Sequence, residues 1–89
     1  MIKDLSNWTE ITKGLYRYVI GANCCYEIHI LYHSKGTDIL TAKASAYIVG
    51  DWYTSKTDSS FFERECLLEN QTVSECLEAA MKDNEENNT

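Results

Sequence analysis

The chain contains no proline and only four glycines. Turns must therefore form at Gly, Asn, Asp and Ser. There is no glycine-rich loop of the kind that holds phosphate groups, and the four cysteines contain neither a C-x-x-C pair nor a zinc-binding spacing. These absences exclude the common nucleotide-binding and zinc-binding motifs.

Long hydrophobic runs are also missing. No apolar stretch approaches the ~18–20 residues that a membrane-spanning helix needs. The first residues, Met1 to Asp4, lack the apolar segment of a signal peptide. We therefore expect a cytoplasmic protein that does not engage the membrane.

The length and composition are those of one small globular domain. The chain has 89 residues, of which 44% are hydrophobic and 25% are charged. Residues 83–89 contain no apolar side chain, so they have nothing to contribute to a core. We expect a single compact α+β domain over residues 1–82 and a disordered acidic tail over residues 83–89.

The net charge of −6 arises entirely in the last third of the chain. Residues 1–62 contain six acidic and six basic residues, whereas residues 63–89 contain eight acidic residues against Arg64 and Lys82. Direct binding to nucleic acid is disfavoured, because phosphate contacts need clustered Lys and Arg. A protein partner with a basic surface is favoured instead.

Two central strands are predicted by alternation of apolar and polar residues. They run from Cys24 to His33 and from about Asp38 to Val49, with a hairpin turn at residues 34–37. The even-numbered positions form the more apolar face in both strands and are predicted to face the core. On that face of the second strand, three small residues leave a shallow trough: Ala42, Ala44 and Ala46.

A C-terminal helix is predicted to fill this trough. Thr72-Val73-Ser74-Glu75 has the form of a capping box, with Thr72 as the N-cap. Apolar residues follow at helical spacing, at positions Val73, Cys76, Leu77, Ala80 and Met81. We predict that this stripe packs on the alanines.

Further strands are predicted on both sides of the central pair, at Leu15 to Ile20 and at Ser60 to Leu68. Trp8 to Thr12 fits either an edge strand or one helical turn, and the alternation of side chains favours the strand. The predicted fold is therefore α+β: an antiparallel four- to five-stranded β-meander with one C-terminal α-helix packed on one face.

No arrangement of reactive residues forms a recognised catalytic or metal-binding motif. His29 and His33 would be ~13 Å apart along one strand, too far to share a metal ion. Ser45, His29 and Glu27 share a flat sheet face without a cleft or an oxyanion hole. We therefore expect no catalytic residues, no cofactor and no metal. A small metal or redox protein that uses Cys25, His29 and His33 is a less favoured alternative.

Two surfaces are predicted to bind a partner. One is the odd-numbered face of the sheet, which the helix would leave uncovered and which mixes apolar with charged side chains. The other is the acidic last third of the chain. The candidate partner-binding residues are Glu27, His29, Leu31, Tyr47 and Phe61 on the sheet, with Glu63, Glu65, Glu69, Glu75 and Glu78 supplying negative charge.

Small acidic domains without catalytic motifs resemble the inhibitors carried by phages and mobile elements, anti-CRISPR proteins among them. The resemblance is one of size and charge. It implies an inhibitor that imitates nucleic acid and blocks the basic groove of a nucleic-acid-binding machine. We predict a non-catalytic protein-binding module of this kind. The alternative is a homodimeric structural or regulatory domain, joined through the odd-numbered sheet face or an edge strand.

Overall fold

The structure, a computed structural model, describes residues 5–21, 24–50 and 63–87. These residues form one antiparallel sheet in which every strand pairs with its neighbour in the chain, followed by one α-helix. The elements are β1 (Thr9–Thr12), β2 (Leu15–Gly21), β3 (Cys24–Tyr32), β4 (Lys43–Gly50), β5 (Glu63–Thr72) and α1 (Val73–Asn87). The predicted α+β class, meander order and C-terminal helix are confirmed.

The segment around Trp8 forms the edge strand that the alternation favours. β1 turns back into β2 at Lys13 and Gly14, and Gly14 has a φ of 84°, in the left-handed region that favours glycine. The carbonyl of Gly14 accepts a hydrogen bond of 2.7 Å from the backbone N–H of Ile30, which ties this turn to β3. Trp8 is buried just before β1 and packs edge-on against Tyr18.

The strand predicted from Asp38 begins five residues later, at Lys43. Residues Ile39–Thr41 form a short 3-10 helix instead. The Asp38 carboxylate accepts a hydrogen bond of 2.9 Å from the backbone N–H of Leu40, and this local cap competes with strand pairing. Side-chain alternation alone does not reveal the competition.

β5 extends to Thr72 rather than ending at Leu68 as predicted, and the predicted first residues 60–62 lie outside the described residues. It passes directly into α1 without a loop. Its pairing with β4 shifts register twice, and within the second irregular stretch Asn70 adopts a φ of 57°. Extra residues in a bulged strand let the polar stretch before the helix remain part of the sheet.

The predicted capping box begins α1. Thr72 Oγ1 accepts a hydrogen bond of 3.2 Å from the backbone N–H of Glu75, and Glu75 Oε1 accepts one of 3.3 Å from the backbone N–H of Thr72. The backbone N–H of Val73 donates to the carbonyl of Ala42 at 3.0 Å. The first turn of the helix is therefore fastened to the end of the sheet.

The core lies between α1 and the even-numbered face of β3 and β4, as predicted. Small side chains on β4 let the helix approach closely enough to reach the packing density of a protein interior. The core combines Tyr26 and Ile28 of β3, the alanines Ala42, Ala44 and Ala46, and the helical stripe Val73, Cys76, Leu77, Ala80 and Met81. Trp8 joins the same cluster.

α1 continues to Asn87, past the boundary at residue 82 where the sequence places the start of a disordered tail. The Tyr26 hydroxyl donates a hydrogen bond of 2.6 Å to the Asp83 carboxylate. Burial, together with this carboxylate, raises the pKa of Tyr26, so the hydroxyl keeps its proton. A contact between residues far apart in the sequence thus supports the polar end of the helix.

No helix within the described ranges is long and apolar enough to cross a bilayer.

Candidate functional site

Glu27 occupies the centre of the odd-numbered sheet face and is only 2% exposed. It lies directly opposite Arg17 of β2 on one side and Tyr47 of β4 on the other. Directly opposed residues in antiparallel strands project to the same side of the sheet. A carboxylate is therefore buried on the face that the helix does not cover.

Three side chains donate hydrogen bonds to this carboxylate. Arg17 donates from Nε and Nη2 to Oε2, at 3.2 and 2.9 Å. Arg64 donates from Nη2 to Oε1 at 3.2 Å, and His29 Nε2 lies 2.9 Å from the same oxygen. An ionised carboxylate can only accept, so the His29 proton is on Nε2. Arg17 and Arg64 are the two arginines of the chain.

Tyr47 completes the group that we call the Glu27 cluster: Arg17, Glu27, His29, Tyr47 and Arg64. The Tyr47 ring centroid lies 4.7 Å from that of His29, and the Arg64 guanidinium stands 5.7 Å from the Tyr47 centroid. The second contact has the geometry of a cation–π interaction. The aromatic ring thus positions both groups that donate to Oε1.

The electrostatics of the cluster keep Glu27 ionised. Burial alone would raise its pKa, but hydrogen bonds from His29 and Arg17 and the positive charges of Arg64 and Arg17 outweigh burial and hold the pKa below its usual range. Two guanidiniums against one carboxylate leave the cluster with a net charge of +1 when His29 is neutral. A local excess of positive charge therefore lies on one face of an acidic protein.

The odd-numbered face is not open at its centre, which corrects the expectation of an uncovered surface. Ser45 and Val49 are buried there along with Glu27. Arg17 of β2 and Arg64 of β5 reach Glu27, and the period of a strand does not reveal such contacts. Towards its margins the face is exposed, at Val19 (66%) and Leu31 (56%).

The predicted partner-binding residues are divided among several places. Glu27, His29 and Tyr47 come together in the Glu27 cluster, where the Glu27 carboxylate bonds within the chain. Leu31 lies exposed near the end of β3. The acidic candidates lie within β5 and α1. Glu63 is the first residue of β5, and the other four are exposed: Glu65, Glu69, Glu75 and Glu78. Phe61 lies outside the described residues.

The exposed side of α1 carries most of the negative charge of the helix. We call it the acidic helix face and define it by five exposed residues at helical spacing: Glu75, Glu78, Lys82, Glu85 and Glu86. They lie opposite the buried apolar stripe. Glu85 and Glu86 are absent from the sequence-based candidates, because their segment was expected to be disordered rather than helical.

Arg17 and Arg64 are the other site residues that the sequence-based prediction missed. In the count of charges for residues 1–62 and 63–89, each arginine is simply one basic residue. A signal for Arg17 does exist, because Arg17 and Glu27 each lie five residues from position 22, between β2 and β3. Hairpin register places such residues opposite each other. Arg64 approaches from β5 and has no comparable local signal.

Cys24 and Cys25, the adjacent cysteines at the start of β3, are partly buried. Burial raises the pKa of Cys24 and Cys25, so both thiols are protonated at neutral pH and are poor nucleophiles. His33 Nε2 is 2.8 Å from the backbone carbonyl of Thr37. Within residues 5–21, 24–50 and 63–87, no three His, Cys, Asp or Glu side chains are grouped closely enough to hold a metal ion.

Comparison with known proteins adds no relative: no protein-family model, no curated protein and no solved structure matches the chain. Two features of the described residues are candidate functional sites. They are the Glu27 cluster and the acidic helix face, which lie on opposite sides of the sheet.

Proposed function

We propose that the chain is a non-catalytic protein-binding module that presents the acidic helix face to a basic surface of another protein. The observation that carries the proposal is the exposure of four carboxylates on one side of α1, with Lys82 as the one base among them. The opposite side of α1 is packed into the core. The carboxylates therefore stand on a rigid element, which limits the entropy lost when a partner binds.

The spacing of these carboxylates suits a protein that normally holds nucleic acid. Glu75 and Glu86 are eleven residues apart, or about 16 Å along the helix axis. Four carboxylates over that length are separated by ~5.5 Å on average, within a factor of two of the ~3.4 Å between phosphates along one DNA strand. Glu65 is opposite Ile48 and thus on the side of the sheet that carries α1. Specifically, the chain would act as an inhibitor by occupying the nucleic-acid-binding groove of its partner.

The decisive variants must change charge without disturbing the fold. Glu75 is unsuitable because its carboxylate caps the helix. Glu78 and Glu85 are exposed, so the test variant is Glu78→Gln/Glu85→Gln, which changes the net charge from −6 to −4. The matched control is Val19→Lys/Leu31→Lys, which also reaches −4 but places the charge on exposed residues of the other sheet face.

Affinity capture from host extract, followed by mass spectrometry, tests the proposal with these three proteins. The extract is treated with nuclease, and a DNA duplex serves as the competitor. We expect the wild type and the control to capture the same nucleic-acid-binding protein, with the duplex displacing it. With that protein purified, the helix variant should associate about tenfold more slowly at low salt. Equal association of the helix variant and the control would refute the proposal.

A homodimer is the second candidate, favoured by two neighbouring apolar residues. Leu31 and Tyr32 are 56% and 65% exposed at the end of β3, and exposed apolar pairs often mark contacts between proteins. Light scattering over a range of concentrations tests this candidate. A mass of two chains in the wild type and one chain in Leu31→Glu/Tyr32→Glu would support it, and a constant mass of one chain would exclude it.

A further inference from the structure

We propose that a groove on the odd-numbered face, between β1 and β2, binds a small carboxylate that carries an apolar body. The groove has a volume of about 560 Å³, within the range of roughly 300–1,000 Å³ that is usual for small-molecule sites. Its wall is formed by Asn7, Thr9, Ile11, Arg17, Tyr18 and Val19. The site lies across the sheet from α1 and does not depend on the function proposed above.

Arg17 supplies the charge that would hold the carboxylate. Its Nε and Nη2 atoms donate to Glu27, and in the described part of the chain Nη1 has no hydrogen-bond partner. The Arg17 side chain is 37% exposed and lines the groove. A planar fork of N–H donors matches the geometry of a carboxylate.

The buried Glu27 prepares Arg17 for this role. Two bonds from Arg17 to one carboxylate oxygen fix the orientation of the guanidinium before any ligand arrives. Glu27 also accepts from Arg64, so its single negative charge does not neutralise both arginines. Among the residues that the structure describes, none of those lining the groove is acidic. An incoming anion therefore meets a pre-oriented positive charge, and among the described residues only Glu27 competes for it.

Ile11 and Val19 supply the apolar surface that the apolar part of the ligand would contact. Ile11 is 42% exposed and Val19 is 66% exposed, and both line the groove. An aliphatic chain placed against them would remove apolar surface from water on both sides. Asn7 and Thr9 add polar groups to the wall. This combination distinguishes an acyl carboxylate from a simple inorganic anion.

The probe is sodium octanoate, titrated into the ¹⁵N-labelled full chain and followed by the backbone amide shifts. We expect saturable shifts at Asn7, Thr9, Ile11, Arg17 and Val19, with a Kd of about 1 mM. Octanamide, which has the same chain without the charge, should bind at least about tenfold more weakly. Inorganic phosphate should not saturate these amides over the same range.

Val19 and Leu31 are both exposed, so the same substitution can be made inside and outside the groove. Val19→Glu places a like charge in the groove and should weaken octanoate binding about tenfold. Leu31→Glu makes the same change in charge outside the groove and should leave the Kd unchanged. Equal binding of octanoate and octanamide, equal effects of the two variants, or the absence of saturable shifts would each overturn the proposal. Shifts of the same amides with protein concentration alone would show that a second copy occupies the groove and would overturn it too.

Discussion

Arg17 and Glu27 face each other across β2 and β3, and the guanidinium donates two hydrogen bonds to one oxygen of the buried carboxylate. Arg64 of β5 holds the other oxygen while its guanidinium stands over Tyr47 of β4. The Glu27 cluster thus connects side chains from four consecutive strands. A slip of one residue in any of the three pairings would move a member of the cluster to the other face of the sheet.

Replacing Glu27 with Gln should destabilise the fold strongly. The substitution keeps the shape of the side chain but leaves two guanidiniums without their counter-charge. We expect the free energy of unfolding to fall by about 1–3 kcal/mol, because Gln loses the charge-assisted hydrogen bonds while the remaining guanidiniums are partly exposed to water. Urea denaturation measures the loss. The control is Glu69→Gln, at an exposed position, which should change stability by less than about 0.5 kcal/mol. Similar losses in both variants would contradict the structural role of the cluster.

The same residue should produce part of the acid sensitivity of the protein. The folded-state pKa of Glu27 lies below its usual value of 4.5, so its stabilisation is present above that value and disappears as the pH falls through the folded pKa. Urea midpoints measured from about pH 6 to about pH 3 should therefore fall more steeply for the wild type than for Glu27→Gln. Parallel curves would show that the Glu27 pKa is not depressed by folding.

The alanine trough gives a prediction about packing. Ala44 is fully buried beneath α1, so Ala44→Leu adds volume where none is available. We expect a loss of about 1–3 kcal/mol in the free energy of unfolding. Lys43→Leu is the matched control, because the neighbouring side chain is exposed on the other face. Thermal unfolding followed by circular dichroism compares them, and an equally stable Ala44→Leu would mean that the helix does not pack closely on β4.

The capping box can be tested by a double-mutant cycle. Thr72→Ala removes the acceptor for the backbone N–H of Glu75 and should cost about 1 kcal/mol. Glu75→Gln should cost less, and the two effects should not be additive, because the side chains also bond to each other at 2.9 Å. Ser74→Ala, in the same exposed turn, is the control. Additive losses would show that the two side chains act independently.

The fold was predictable where the side-chain pattern is local. Alternation over Cys24 to His33 predicts β3, which ends one residue earlier, at Tyr32. The capping box together with the apolar stripe predicts both the start of α1 and the side that it buries. Boundaries set by particular contacts were not predictable. The cap formed by Asp38 replaces the predicted start of β4 with a 3-10 helix. Register shifts allow β5 to stay paired with β4 as far as Thr72. The hydroxyl of Tyr26 donates a hydrogen bond to Asp83, beyond the predicted end of the helix.

The site was predictable only in part, for a physical reason. Strand parity places Glu27, His29 and Tyr47 on one face, and the structure confirms that grouping. Parity does not show that Arg17 and Arg64 lie over the centre of that face, because their reach across strands depends on side-chain length and register. Predictions from a strand pattern therefore identify neighbours better than they identify exposure.

The position of α1 after all five strands affects how the chain folds during synthesis. The strands pair in chain order, so the sheet can form step by step as the polypeptide leaves the ribosome. The even-numbered face, with Tyr26, Ile28 and the three alanines, then lacks the apolar stripe of α1 until the helix emerges. A nascent or truncated chain that stops before α1 would expose an apolar sheet, which makes aggregation the main hazard of incomplete translation.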